Sequence, residues 1–303
     1  MGPTAELPLA TDAVRIGEFT DPVVIDPDPR FLDEILSALV DVSPSTFDPD
    51  LDDLRSAADS TTDPWSAVDS HPTVAVLARR DAFETVTAGF EAASRLAGLV
   101  ESGLLDPSVL DASQPNAIVA GRADAFAVVD TPAGWHAVGS DRSLRRRYET
   151  TLEEAEPFRP PAPSRHRLYR GFHDRCGRAV ADDVVRALDV PPDPRSDVVD
   201  ARVRAYLVGA RHERLDRTVR RSCEEGGLGS PSTFTAVKRR LVDAGVVGTE
   251  RVGQPVGRPR KRLIAREPFG ETSLPDAISM TRDAISTGQD AISMARGAVD
   301  END

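Results

Sequence analysis

The sequence predicts an α/β amino-terminal domain, then a small α+β domain of three helices and a two-stranded hairpin, and last a C-terminal amphipathic helix. Three observations carry this. Short apolar runs alternate with helix-period segments over the first half of the chain, as they do where strands and helices interleave. The charge then reverses: residues 1–150 hold 11 basic and 26 acidic side chains, whereas residues 196–267 hold 16 and 9. The tail, finally, repeats DAISMTR, DAISTGQ and DAISMAR from Asp276, Asp283 and Asp290, a seven-residue period that sets Ile278, Ile285, Ile292 and Val299 on one stripe.

Residues 1–156 form the acidic α/β domain. PVVIDP (22–27) and TVAVLA (73–78) are strand-like, with a helix over 31–42 between them and a long helix over 81–105 behind. NAIVAG (116–121) is a further strand, and AFAVVD and WHAVG are joined by Thr131-Pro132-Ala133-Gly134 into a hairpin. A helix over 140–156 follows, with Ser140 or Asp141 as its cap. PFRPPAPSR (157–165) then places four prolines in seven residues, which forbids a helix and reads as a linker; with a helix around 172–190, ended by PPDP, it makes a connecting segment over 157–195.

Residues 196–267 are the basic island. Val199, Val203 and Leu207, then Leu215, Val219 and Cys223, recur at i, i+4 and i+8, giving two helices with one buried face each. Ser230 fits the N-cap of a third helix, Pro231 its first residue and Gly245 its left-handed stop. Phe234, Val237 and Leu241 face the core, leaving Ser232, Thr233, Thr235, Ala236, Lys238 and Arg239 outside. Hydroxyls and alanine approach phosphates and thymine methyls closely, and Lys and Arg reach phosphates or guanine, so this face suits double-stranded DNA. Val246 to Arg251 and Arg260 to Ala265 make a hairpin whose tip and return strand carry Arg258, Arg260 and Lys261. Three helices followed by a cationic hairpin are the plan of a winged helix-turn-helix, in which the hairpin lies beside the DNA backbone while the third helix enters the major groove.

Residues 197–267 resemble the winged-helix regulators of bacteria and archaea on Ser230, the Leu241 to Gly245 helix end and the Gly-Arg-Pro-Arg run at 257–260. The whole arrangement, an acidic α/β half before this module, resembles the haloarchaeal TbsP-type transcriptional regulators. That resemblance implies a sequence-specific DNA-binding regulator of transcription, possible targets including sugar-metabolism genes, with the first domain sensing a small molecule or partner. The glycine-rich EEGGLG before the third helix departs from the usual turn.

The bulk composition agrees. The 303-residue chain has a formal net charge of −13, and of its 37 basic residues only Lys238 and Lys261 are lysine. Such an Asp-rich, Lys-poor balance resembles that of proteins from halophilic archaea, so salt adaptation accounts for the acidity more simply than an acidic binding function. No apolar run is long enough to span a membrane and no secretory signal is present, which places the protein in the cytoplasm. Two cysteines are too few for a disulfide framework or a four-cysteine zinc site.

The other chemistries are weak. Gly226-Gly227-Leu228-Gly229 lacks the strand and the Gly-Lys-Ser/Thr of a phosphate cradle, and His173 with Cys176 matches no metal pattern. No nucleophile, base and orienting group line up, so neither a catalytic residue nor a cofactor is expected, and the protein is read as not an enzyme. Trp135 and His136 read as core and surface residues of the hairpin. Arg145, Arg146 and Arg147 read as a solvated face, though an anionic effector such as a sugar phosphate could use them. A homodimer on two half-sites is the expected assembly. The alternative function is a winged-helix protein–protein interaction module in a signalling or metabolic complex.

Overall fold

Alternation of apolar side chains builds the first unit. The computed structural model describes residues 5–7, 9–10, 14–191, 198–253 and 259–300, with 289–300 described by backbone alone, and the chain divides after His166 into two units. The first unit begins with a short ribbon, β1 (Glu6–Leu7) against β2 (Val14–Arg15). Next come β3 (Val23–Ile25), α1 (Pro29–Val40), α2 (Pro44–Phe47) and α3 (Leu51–Asp59). They lead into β4 (Val74–Ala78), α4 (Arg80–Val86), α5 (Phe90–Glu101) and β5 (Leu105–Val109). The unit closes with β6 (Ala117–Ala120), β7 (Ala125–Thr131), β8 (Gly134–Val138), α6 (Leu144–Arg147) and α7 (Glu149–Glu154).

One six-stranded sheet runs in the order β5-β4-β3-β6-β7-β8. Strands β3, β4 and β5 are parallel, and β6, β7 and β8 are antiparallel additions. Because strand side chains alternate, Val24 faces a core shared with Phe31, Ile35 and Leu99 from the helices α1 and α5. Val23 and Ile25 face the opposite core, which Leu144, Tyr148 and Leu152 of the α6–α7 segment cover. The sheet is thus sandwiched, the layering expected of an α/β domain.

Three expectations are corrected here. The 81–105 segment is not one helix: Gly89, at φ +92°, separates α4 from α5, and residues 105–109 are a strand. Pro107 hid that strand. It sits at the sheet edge, where its missing N–H removes no ladder bond. The helix expected over 140–156 is the two short pieces α6 and α7, and the residue at the cap of α6 is Ser143, without a capping bond; Asp141 instead accepts the Ser143 N–H at 2.9 Å and hydroxyl at 2.7 Å. The proline-rich stretch is no free linker at its start, because Val109 N–H donates to Glu156 and Phe158 N–H to Pro107, both at 2.8 Å. It covers the β5 edge, and Phe158 stacks on Phe83 with ring centres 4.4 Å apart.

The second unit is mostly helical. The helix expected around 172–190 is two, α8 (Arg165–Cys176) and α9 (Arg178–Asp189), broken at Gly177 with φ +84°. Then follow α10 (Ala201–Arg211), α11 (Asp216–Glu225), α12 (Pro231–Asp243), β9 (Val247–Val252), β10 (Arg260–Ala265) and α13 (Leu274–Asp300). Helix α10 is the central rod: Val203 through Ala210 are all buried. Among them is Arg204, whose guanidinium donates to the carbonyls of Val199 at 3.1 Å, Ala187 at 2.9 Å and Val190. Those bonds satisfy carbonyls at the end of α9 and before α10 that helix geometry leaves unpaired.

Helix α13 buries Ala277, Ile278, Thr281 and Ile285. Thr281 is tolerated there because its hydroxyl donates to the Ala277 carbonyl at 2.7 Å. The side chains of Ile292, Ala295 and Val299 lie outside the described residues. Among the described residues no helix is long and apolar enough to cross a membrane, and no cluster of three or more His, Cys, Asp or Glu could hold a metal.

Candidate nucleic-acid interface

Helices α10, α11 and α12 make the helix-turn-helix. Asp200 caps α10 by accepting from the Arg202 and Val203 N–H groups at 3.1 and 3.0 Å. At Gly209 the α10 backbone presses on α11 so closely that a Cβ would lie 2.6 Å from Val219 Cγ2. The turn between them reverses through Glu213 at φ +50°, with Arg214 N–H bonded to the Gly209 carbonyl at 2.9 Å.

The glycine-rich departure EEGGLG has a physical cause. Gly226 ends α11 where α8 crosses it: a Cβ on Gly171 of α8 would meet Gly226 N at 2.7 Å and Ser222 O at 3.0 Å. Gly227 and Gly229 follow at φ +80° and +150°, conformations that a side chain opposes. Close packing takes the first glycine, and backbone direction the next two.

Helix α12 starts at Pro231 as expected, but Ser230 holds the cap position without capping. Its hydroxyl bonds those of Ser232 and Thr233 at 3.0 and 3.1 Å instead. Phe234, Val237 and Leu241 form the buried face, and Phe234 stacks on Tyr206 of α10 with ring centres 5.7 Å apart. Ser232, Thr235, Ala236 and Arg239 are exposed, and Thr233 is half-buried. The Thr235 hydroxyl donates to the Pro231 carbonyl at 3.2 Å, leaving its methyl and a lone pair outward.

Lys238 differs from the sequence expectation. Its ammonium is 2.6 Å from Asp216 at the start of α11, and both side chains are largely shielded. Asp216 also accepts from the Tyr206 hydroxyl at 3.5 Å, and burial pushes that phenol well above its ordinary range. Lys238 therefore ties three helices together rather than standing on the outer face. Spacing carries part of this, because Lys238 lies four residues after Phe234 and three before Leu241, at the border of the buried face, while Arg239 points about 100° further round; that Asp216 is there to receive the ammonium is shown by packing alone. Sequence reasoning also missed Arg240, which turns back to the Val198 carbonyl.

The wing is a regular ladder running from Arg260 opposite Val252 to Ala265 opposite Val247. Its base is joined to the helices: Leu263 is buried, its N–H donates to the Arg214 carbonyl at 2.9 Å, and Leu215 bridges Arg262. Arg260 and Lys261 are both exposed, but strand alternation sends them to opposite faces, Lys261 to the Leu263 face. Arg262 pairs with Glu213 at 3.5 Å. Arg258 lies outside the described residues. The structure thus brings Ser232, Thr235, Ala236 and Arg239 to one exposed helix face, places Arg260 and Lys261 on the wing, and turns the half-buried Lys238 toward Asp216.

Two family models match the chain. Residues 52–163 match the model for the N-terminal domain of the TbsP-like transcriptional regulators, and residues 164–279 match the model for their C-terminal HTH domain. No curated protein and no solved structure matches.

Proposed function

This chain belongs to the TbsP-like transcriptional regulators, with an HTH domain that supports DNA-binding regulation, and from that premise we propose that it reads double-stranded DNA by sequence through α12 and the wing. The observation that carries this is the composition of the exposed α12 face. Ser232, Thr235 and Ala236 are small enough to let the helix approach base edges, and Arg239 reaches beyond them to pair with guanine. Arg260, exposed on the wing strand, is the side chain to which this reading assigns a phosphate contact that fixes the register.

The first unit is the sensor in this reading, its targets are sugar-metabolism genes, and the protein acts as a homodimer on two half-sites. The buried Ile278 and Ile285 make α13 part of the folded body, so its continuation is the element that joins two copies. The working milieu is a salt-rich cytoplasm. There the screening length shrinks to about 3 Å at molar salt, so cations act by touching DNA rather than by steering it.

Gel-shift titration of genomic fragments in molar potassium chloride tests the proposal. A preferred fragment should emerge, and Arg239→Ala should reduce the preference among fragments, not merely the affinity for all. Binding without preference at every salt concentration would favour a protein-interaction module instead. Deleting residues 274–303 should lower the sedimenting mass and the affinity for a two-half-site fragment; an unchanged mass would remove the tail from dimerisation.

A further inference from the structure

A groove of about 460 Å³ runs between α12 and α13, both in the second unit. Ala236, Arg239, Arg240, Asp243 and Ala244 line it from α12, and Ile285 and Gly288 from α13. Positions 236, 240, 243 and 244 follow the helical period, so one stripe of α12 forms a wall. Ala236 is exposed, Ala244 and Gly288 are half-buried, and the buried Ile285 closes the bottom. The charges are two guanidiniums against one carboxylate, and none of the three belongs to an ion pair among the described residues. Arg240 donates to the Val198 carbonyl, a neutral group that leaves its charge uncompensated.

The chain cannot fill this groove with the end of its own α13. Residues 289–300 continue that helix to Asp300, a rise of about 18 Å, and a continuous helix does not turn back onto a wall it forms itself. Their sequence nevertheless carries a stripe that calls for cover. DAISMAR from Asp290 repeats DAISMTR from Asp276, in which Ala277 and Ile278 are buried, and the seven-residue period sets Ile292 in line with Ile278 and Ile285. Residues 289–303 hold four acidic side chains and one basic, the complement of the groove's balance.

A second copy meets both needs at once. Gly288 walls the groove and Ile292 lies one helical turn further on, so two α13 helices crossing antiparallel near Asp290 set each Ile292 at the other's Gly288. Gly288 leaves room for that approach, since even a Cβ there would meet nothing within 4 Å. We propose that the groove between α12 and α13 is the docking surface for residues 290–296 of a second copy, in a reciprocal exchange that holds the two α12 helices at one fixed separation. The inference rests on the homodimer reading and adds to it the surface that receives the tail.

Sedimentation equilibrium of the full chain in molar potassium chloride tests it. Ala236 and Arg239 border the face assigned to DNA, so the variants are placed elsewhere. Ala244→Glu, at a half-buried position with helical backbone, sets a carboxylate opposite the acidic tail and should weaken self-association by more than about tenfold. Ile292→Asp should do the same from the tail, with both variants folded by circular dichroism. An equimolar mixture of the two should recover part of the dimer, because the intact tail of one meets the intact groove of the other. Gly288→Leu fills the groove from open space, and its loss of dimer decides the matter if Ala244→Glu misfolds.

Tails paired only with each other predict the reverse: Ala244→Glu stays dimeric, Gly288→Leu associates more tightly and the mixture gains nothing. Any of these results would overturn the proposal, as would native mass spectrometry that finds a small molecule held by the wild type and lost in Gly288→Leu. A wild type that is monomeric throughout refutes the homodimer and the groove together. Loss of the dimer in Ile292→Asp but not in a folded Ala244→Glu refutes the groove alone.

Discussion

Replacing Gly171 with alanine should destabilise the protein, although alanine is the better helix former. The added Cβ would lie 2.7 Å from Gly226 N and 3.0 Å from both Gly226 Cα and Ser222 O. All three neighbours are backbone atoms, and Gly226 N–H is already bonded to Ser222 O at 2.8 Å, so no side-chain rotation relieves the contact. Overpacking of this kind costs about 1 to 3 kcal/mol, with rigid neighbours toward the upper end. Helix propensity returns about 1 kcal/mol. The net loss is therefore about 1 to 2 kcal/mol, equivalent to a melting temperature lower by roughly 2 to 8 °C for a domain of 150 to 250 residues. Guanidinium denaturation followed by circular dichroism measures it, the midpoint falling while the slope is unchanged. Gly288 in α13 is the control: a Cβ there meets nothing within 4 Å, so Gly288→Ala should be neutral or stabilising by up to about 1 kcal/mol. If Gly171→Ala equals or exceeds the wild type, α8 and α11 do not meet at backbone distance; if both substitutions destabilise alike, packing is not the cause.

Lys238→Met should lower stability by about 1 to 3 kcal/mol by leaving Asp216 shielded without its cation, whereas Arg239→Ala should shift it by less than about 0.5 kcal/mol; equal losses in thermal melts would refute the division of labour between the two. The hydrogen bond from Arg175 holds the Glu225 carboxyl below its ordinary range, so its contribution is complete above the unfolded carboxyl's pKa, about 4.3, and is lost as pH falls through the lower folded value. An NMR titration should show that depression vanish in Arg175→Gln, and its persistence would point to another cause. Burial raises the Cys176 and Cys223 thiols and conceals both, so a thiol reagent at pH 8 should label them only as the protein unfolds; rapid stoichiometric labelling of folded protein would contradict their placement.

What could be read from the sequence was periodic or chemically marked. Val23 to Ile25 and Val74 to Ala78 were legible because strands buried on both faces read as apolar runs, and α12 because Pro231 and Gly245 bracket it. Strand β5 was not, since Pro107 is tolerated only at an edge and edges are a property of the finished sheet. Gly89 and Gly177 broke helices that apolar spacing joined. At the interface, Phe234, Val237 and Leu241 announced the buried face. Lys238 stayed hidden for a geometric reason: it lies at the border of that face, where only the neighbour Asp216 decides whether a long cation turns inward. Trp135 read as core, and it is buried.

Arg204 has a further consequence, one that bears on inferring provenance from composition. Its guanidinium donates to several backbone carbonyls at once, and that of Arg211 to the carbonyls of Phe269 and Thr272. A planar guanidinium can serve two or three carbonyls at fixed angles, which a single ammonium cannot, so lysine is no substitute at these joints. A scarcity of lysine is commonly taken as a mark of habitat. Part of it here is carpentry, fixed by the joints that Arg204 and Arg211 make, and only exposed arginines such as Arg217 and Arg221 are free to report on the solvent.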